Sequence, residues 1–263
     1  MRTTRTTRAW IDLNSDVGES FGNYVLGRPE EVMQGISHAN IACGFHAGDP
    51  SWVRRSVESA KKYGVTVGGH PGFPDMLGFG RRLMHLTPQE GKDYVVYQLG
   101  ALKAFAEAAG LRLEAAKPHS AFYVWAQLSE ENTRAMLEGF QAVNPDIVAY
   151  LPALPRYPVL EVAEQLGMRV VKEFYPGLGY KDEGDLTYGH GEDSVEEAVR
   201  LVMRVVTEGK VTTTGGKELA LDAESIAISG ELMQAPKILQ ALREALTREG
   251  VMIRSALHAA NGR

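Results

Sequence analysis

Seven short runs rich in apolar and β-branched residues alternate with seven segments of helical spacing, and no other feature of this 263-residue chain constrains its fold as strongly. The β-like runs fall at 9–14 (AWIDLN), 39–45 (ANIACGF), 65–70 (VTVGGH), 111–119 (LRLEAAKPH), 146–151 (DIVAYL), 169–175 (RVVKEFY) and 225–231 (SIAISGE). Helical patterns occupy 29–37, 51–64, 87–110, 129–143, 157–167, 194–209 and 235–250. Gly64, Gly110, Gly167, Gly209 and Gly250 stand where helices should stop, and Ser129 opens the string SEEN as an N-cap with acid in the first turn. Such alternation implies a parallel sheet with right-handed crossovers, either closed as a barrel or open and doubly wound. Seven units favour the barrel. The expectation is one α/β domain over 9–263 preceded by a flexible arm at 1–8, whose Arg/Thr composition reads as a frayed terminus rather than an anion-binding tail. Two segments interrupt the rhythm. Residues 176–193, rich in Gly and acid, form either a binding loop or a surface excursion, and Gly215-Gly216 within 211–222 reads as a hairpin turn.

Composition excludes several function classes. With 44% hydrophobic and 23% charged residues the chain can bury a substantial core, and a net charge of −5 argues against a nucleic-acid binder. Cys43 is the only cysteine, which rules out an intramolecular disulfide and any multi-cysteine zinc site. No signal-peptide pattern and no membrane-spanning apolar run is present, so a cytoplasmic location is expected.

In a parallel barrel the loops that follow the strands leave one face, where active sites are built. Ionisable residues recur at those positions in unit after unit: Asp12, Asp16 and Glu19; His46 and Asp49; His70 and Asp75; Lys117 and His119; Lys172 and Glu173; and Glu231. Carboxylates, imidazoles and an ammonium gathered at one mouth would shift one another's proton affinities toward neutrality, as acid–base chemistry requires. Cys43 invites a second reading, a thiolate nucleophile with His46 as base, but three residues along a strand separate the two faces unless Gly44 turns sharply. The Gly-rich loop at 68–82 either presents backbone N–H groups to an anion beside Arg81 and Arg82 or is purely structural.

Four strings, NSDVGESFG, SHANIACGFHAGDP, GGHPGFPDMLGFGRR and KPHSAFY, resemble the LamB/YcsF family. That resemblance runs from about Ile11 to the final helix. It implies a seven-stranded (β/α) barrel of the glycoside hydrolase/deacetylase type and ATP-dependent opening of the lactam 5-oxoproline, or a related cyclic amide, as the A-type member of a complex with two other 5-oxoprolinase-type subunits. By matched motif it singles out Asp12, Asn14, Asp16, Glu19, His46, Asp49, His70, Lys117 and His119. The chain departs from the family pattern as well. Asn14-Ser15-Asp16 replaces NCD, Ser120 and Phe122 stand where KPHGALY has Gly and Leu, YPGLG replaces a charged FADR, and Ser229-Gly230-Glu231 replaces HGD. Loss of an arginine clamp should weaken affinity for an acidic lactam unless Lys181 or His190 substitutes, so the recognised side group is expected to differ while the bond type is kept.

An amidase must activate water, polarise the carbonyl oxygen and protonate nitrogen. Asp12 or Asp16 is assigned as base toward water, His46 and His70 as proton carriers, Lys117 as the cation opposing negative charge, and His119 as part of the polar wall. Asn14, Glu19, Asp49, Arg81, Glu173 and Glu231 are assigned to substrate binding. A rival reading is a metal-dependent amidohydrolase or deacetylase with Asp12, His46, His70 and His119 as ligands to a divalent metal. Another is a non-catalytic subunit that binds a small molecule.

Overall fold

Along this chain every barrel strand finds a partner on both sides. The computed structural model describes residues 8–153, 159–187 and 194–259. Seven parallel strands, β1 (Trp10–Val17), β2 (His38–Ala42), β3 (Thr66–His70), β4 (Leu113–Ala116), β5 (Val148–Pro152), β6 (Val170–Phe174) and β7 (Ser225–Ser229), follow one another in chain order. β7 pairs with β6 on one side and with β1 on the other, from Asp12↔Ser225 to Asp16↔Ser229, which closes the cylinder and leaves no unpaired edge. The expected (β/α)7 barrel is therefore the fold.

The helices are α1 (Pro29–Gly35), α2 (Pro50–Tyr63), α3 (Pro88–Ala108), α4 (Ser120–Ala126), α5 (Glu130–Val143), α6 (Val159–Gln165), α7 (Val195–Glu208), α8 (Ala235–Arg248) and α9 (Ala256–Ala259). Their boundaries follow the local chemistry. Ser129 accepts from the Asn132 N–H, Thr87 and Glu90 form a reciprocal capping box, and Gly64 ends α2 in the left-handed region at φ +67°. Outward-facing Ile11, Leu13, Ala39 and Ile41 join Val57, Leu99 and Leu242 of the helices in the main core. Each such Leu, Ile or Val stabilises the fold by about 1.5–3 kcal/mol.

Inward-facing residues form layers. At the bottom Ala115, Val148, Tyr150 and Val171 pack with Ala256 and Leu257, so the C-terminal helix plugs the lower end of the barrel. The strand pair Trp10↔Met252, Ile11↔Ile253 lies beside this plug. Sequence periodicity missed both this closing segment and α4. The Gly215-Gly216 hairpin is present as Lys210–Thr212 against Glu218–Ala220. Within 176–193, Gly179–Tyr180 pairs with Leu186–Thr187, and residues 188–193 lie outside the described residues. Of the expected arm, Arg8 donates its N–H to the Val206 carbonyl and pairs its guanidinium with Asp222, while residues 1–7 lie outside the described residues.

Candidate active site

Strand termination delivers each polar group to one mouth. β1 carries Asp12, Asn14 and Asp16 on its inner face by simple alternation. Gly18 then turns at φ +74°, where a Cβ would come within 2.9 Å of the Ser56 hydroxyl, and brings Glu19 to the rim. After β2 the chain turns at Gly44 (φ +91°), whose N–H donates to the Ala47 carbonyl at 2.9 Å, and His46 is fully buried beyond it. His70 is the last residue of β3, while the Lys117 and His119 N–H groups extend the β4 pairing by donating to the Gly69 and Pro71 carbonyls.

The resulting contacts are close. Lys117 Nζ lies 2.8 Å from Asp16 Oδ1 and 3.4 Å from Glu173 Oε2, and the ammonium sits 4.8 Å above the Tyr175 ring. Asp16 Oδ2 is 3.5 Å from His70 Nε2, which in turn is 3.0 Å from His119 Nδ1. Glu19 Oε1 is 3.3 Å from His46 Nε2 and 4.0 Å from His119 Nδ1. Glu19, His46, His70 and His119 each offer one donor atom, all within 4.8 Å of one another, a set able to hold a metal ion.

These environments push the titrating groups apart. Burial alone would raise Asp16, but His70 and Lys117 outweigh it and hold the carboxyl well below its ordinary range. Burial raises Glu19 to about 8 against the opposing effect of His119. Desolvation lowers His46 and His119 to about 3, and lowers His70 as well. Lys117, buried between two carboxylates, stays charged: burial lowers its proton affinity, and Asp16 and Glu173 more than restore it.

The strand ends enclose a cavity of about 750 Å³, within the usual size of small-molecule sites of roughly 300–1,000 Å³. Asp16, Glu19, His70, Lys117, His119 and Glu173 give its lining charge and hydrogen-bonding groups, and Tyr123, Val124, Pro176, Leu178, Leu186 and Ile238 give it largely apolar surface. A family model described as the LamB/YcsF family matches residues 11–261. The chain belongs to the LamB/YcsF family. It is 42% identical over 247 residues to the A subunit of 5-oxoprolinase from Pyrococcus abyssi, spanning 92% of this chain and 96% of that protein. The corresponding A subunit of 5-oxoprolinase from Thermus thermophilus is 43% identical over 249 residues, or 93% and 99% of the two chains. The crystal structure of a lactam utilization protein, also from Thermus thermophilus, superposes with a TM-score of 0.87 at 41% identity, covering 93% of this chain and 99% of that one.

Not every family-motif residue reaches the cavity. Asp16, Glu19, His70, Lys117, His119, Arg81, Glu173 and Glu231 line it, and fully buried His46 stacks on His119 behind them. Asp12 does not. It is fully buried one layer lower, accepting from Ser37 at 2.5 Å, Ser225 at 2.6 Å and Tyr150 at 3.0 Å, and burial raises it to about 6. This position removes Asp12 both as the water-facing base and as a metal ligand. Asn14, also fully buried, supports the site from below by donating to Glu173 Oε2 at 3.0 Å. Asp49 is the N-cap of α2, accepting from the Ser51 and Trp52 N–H groups and from Gly22, so substrate binding is not its position. Asp75 caps a short turn and pairs with Arg82, and Arg81 is held by Glu231 at 2.5 Å, which gives the Gly-rich loop a structural account. Cys43 donates to the Ile41 carbonyl, and burial pushes its thiol up to about 12, which ends the thiolate reading. Ser120 lines the cavity in the left-handed region at φ +37°, whereas Phe122 packs in the core against Phe73 and Trp125. Lys181 lies outside the cavity lining, and His190 lies outside the described residues.

Three contributors escaped sequence reasoning. Asn40 donates to both Asn14 Oδ1 (2.9 Å) and Asp16 Oδ1 (3.1 Å), Tyr175 hydrogen-bonds Glu173, and the carbonyl of Phe79, itself at φ +53°, accepts from His119 Nε2 at 2.7 Å. Alternation on β2 and β6 signals that Asn40 and Tyr175 face inward, but nothing local to Phe79 announces its backbone role.

Proposed function

We propose that this protein opens a lactam, 5-oxoproline or a related cyclic amide, by ATP-dependent hydrolysis, acting with two further 5-oxoprolinase-type subunits. The observation that carries the reading is the Asp16–Lys117–His70 constellation facing a cavity of small-molecule size, in a chain 42% identical to a protein named as the A subunit of 5-oxoprolinase. Amide resonance shields the carbonyl carbon, and phosphorylation of the oxygen by ATP would remove that protection. Lys117 opposes the negative charge that develops on oxygen, and Asp16 stays ionised and orients the attacking water.

Charge also speaks to the substrate. Among the described residues both lining cations are engaged, Lys117 by Asp16 and Glu173 and Arg81 by Glu231, and Leu178 offers no charge. An acidic lactam must compete with three carboxylates for a partner, whereas an uncharged lactam need not. Uncharged lactams are therefore expected to be turned over at least as efficiently as 5-oxoproline. The test is a lactam panel assayed with the protein alone and with candidate partner subunits, with and without ATP, following ring opening and phosphate release together. Ligand binding without turnover in every combination would overturn the catalytic reading, and exclusive use of 5-oxoproline would overturn the substrate preference.

A further inference from the structure

The hydrogen bonds of two histidines determine where their ring protons sit. A backbone carbonyl only accepts, so His70 Nδ1 donates to the Lys117 carbonyl at 2.8 Å and His119 Nε2 donates to the Phe79 carbonyl at 2.7 Å. Each neutral ring has then spent its single proton. His70 Nε2 and His119 Nδ1 face each other across 3.0 Å with a bare lone pair on both sides. Two acceptors at that distance repel unless a cation lies among them.

The geometry points to a divalent transition-metal site built from His70 Nε2, His119 Nδ1, His46 and Glu19. The donor–donor separations include 3.0, 3.3 and 4.0 Å and none exceeds 4.8 Å, a span around the edge of about 3.4 Å that a tetrahedral ion with metal–ligand bonds near 2.1 Å requires, so the side chains need only draw in around the ion. A shared proton would join only the two facing nitrogens, and Glu19 and His46, hydrogen-bonded to each other at 3.3 Å, would take no part in it. His46 is fully buried and turns its Nε2 into the cluster, 3.3 Å from Glu19 Oε1. Carbonyls anchoring the far nitrogens of His70 and His119 are the usual outer support of metal-ligating histidines. Two glycines keep the rings packed: a Cβ at Gly72 would lie 2.7 Å from His46 Nδ1, and one at Gly80 would lie 2.6 Å from His46 Cβ. Three imidazoles with one carboxylate select zinc and its first-row neighbours over magnesium or calcium, which prefer all-oxygen shells. Glu19, His70 and His119 also line the cavity, so a bound ion would supply Lewis acidity beside Asp16 and Lys117.

This inference rests on the cluster alone and stands or falls without any lactam being opened. The full chain is purified without added metal, its metal content is measured by mass spectrometry, and zinc and magnesium titrations follow chelator treatment. Expected are about one transition ion per chain, zinc binding that magnesium does not compete away, and affinity losses of about 100-fold or more in Glu19→Gln and His119→Gln. Asp49→Ala, outside the cluster, is expected to bind zinc like the parent. If a cluster variant misfolds by circular dichroism, His46→Gln replaces it. No saturable zinc binding by the folded parent, or unchanged affinity in the folded cluster variants, overturns the site. A metal-free folded protein showing one strongly deshielded proton shared by His70 and His119 overturns it in favour of the proton.

Discussion

The ends of β1–β4 and those of β5–β7 face the same cavity but carry different kinds of residue. The first four contribute Asp16, Glu19, His46, His70, Lys117 and His119, nearly all buried and in mutual contact. The last three contribute Pro152, the Tyr175–Leu178 turn and Ser229-Gly230, while their two carboxylates are already committed, Glu173 to Lys117 and Glu231 to Arg81. One side thus holds charge and protons, and the other sets shape and polarity. In a closed barrel the two can change separately, because each strand end is anchored by its own ladder rather than by its neighbour's loop.

The sharpest break in that comparison is Lys117→Ala, which leaves Asp16 and Glu173 as uncompensated buried carboxylates. We expect a loss of about 3–5 kcal/mol in urea unfolding and a fall of about 10²–10³ in turnover assayed with candidate partner subunits. Retained activity would remove Lys117 from the chemistry. Leu178→Arg probes the opposite side. A charge-assisted bond is worth about 1.5–3 kcal/mol, so the preference between 5-oxoproline and an uncharged lactam should move about 10- to 100-fold toward the acid with turnover otherwise kept.

A third expectation concerns acid. Burial lowers His38, on β2, to about 3, against about 6.5 in the unfolded chain. Between those values the unfolded state binds a proton that the folded state does not, so this residue's contribution is intact above pH 6.5 and is lost as the pH falls toward 3. His38→Gln should therefore gain on the parent by about 1.4 kcal/mol per pH unit across that window, read from denaturation curves at stepped pH. A constant difference would show that His38 is not held neutral. The smallest effect is expected at Asp49. Removing this cap in Asp49→Ala should cost about 1 kcal/mol of stability and leave turnover nearly unchanged, which separates it from the neighbouring His46.

How far the sequence reached is best judged on β1. Alternation places Asp12, Asn14 and Asp16 on one inner face, and that much was readable. Four residues of strand also separate Asp12 from Asp16 by about 13 Å along the strand, enough to put one in the interior and the other at the cavity. Periodicity carries facing, not depth. Asp49 followed by Pro50 was open to reading as a helix N-cap, and its placement in the site came from its position past a strand end and from the matched motif rather than from local chemistry. The Phe79 carbonyl could not have been read, since its role depends on a loop fold that brings residues 79 and 119 together.

By itself the sequence determined the alternation of strand and helix, the closing glycines, the family, and which strand ends bear titratable groups, because each is written in local spacing and residue type. Only the tertiary structure decided which carboxylate meets the cavity, which ring nitrogen keeps its proton, and that Lys117 and Arg81 at the cavity wall are already paired. Those outcomes are set by depth along the barrel axis and by contacts between residues tens of positions apart, quantities with no local record in the chain.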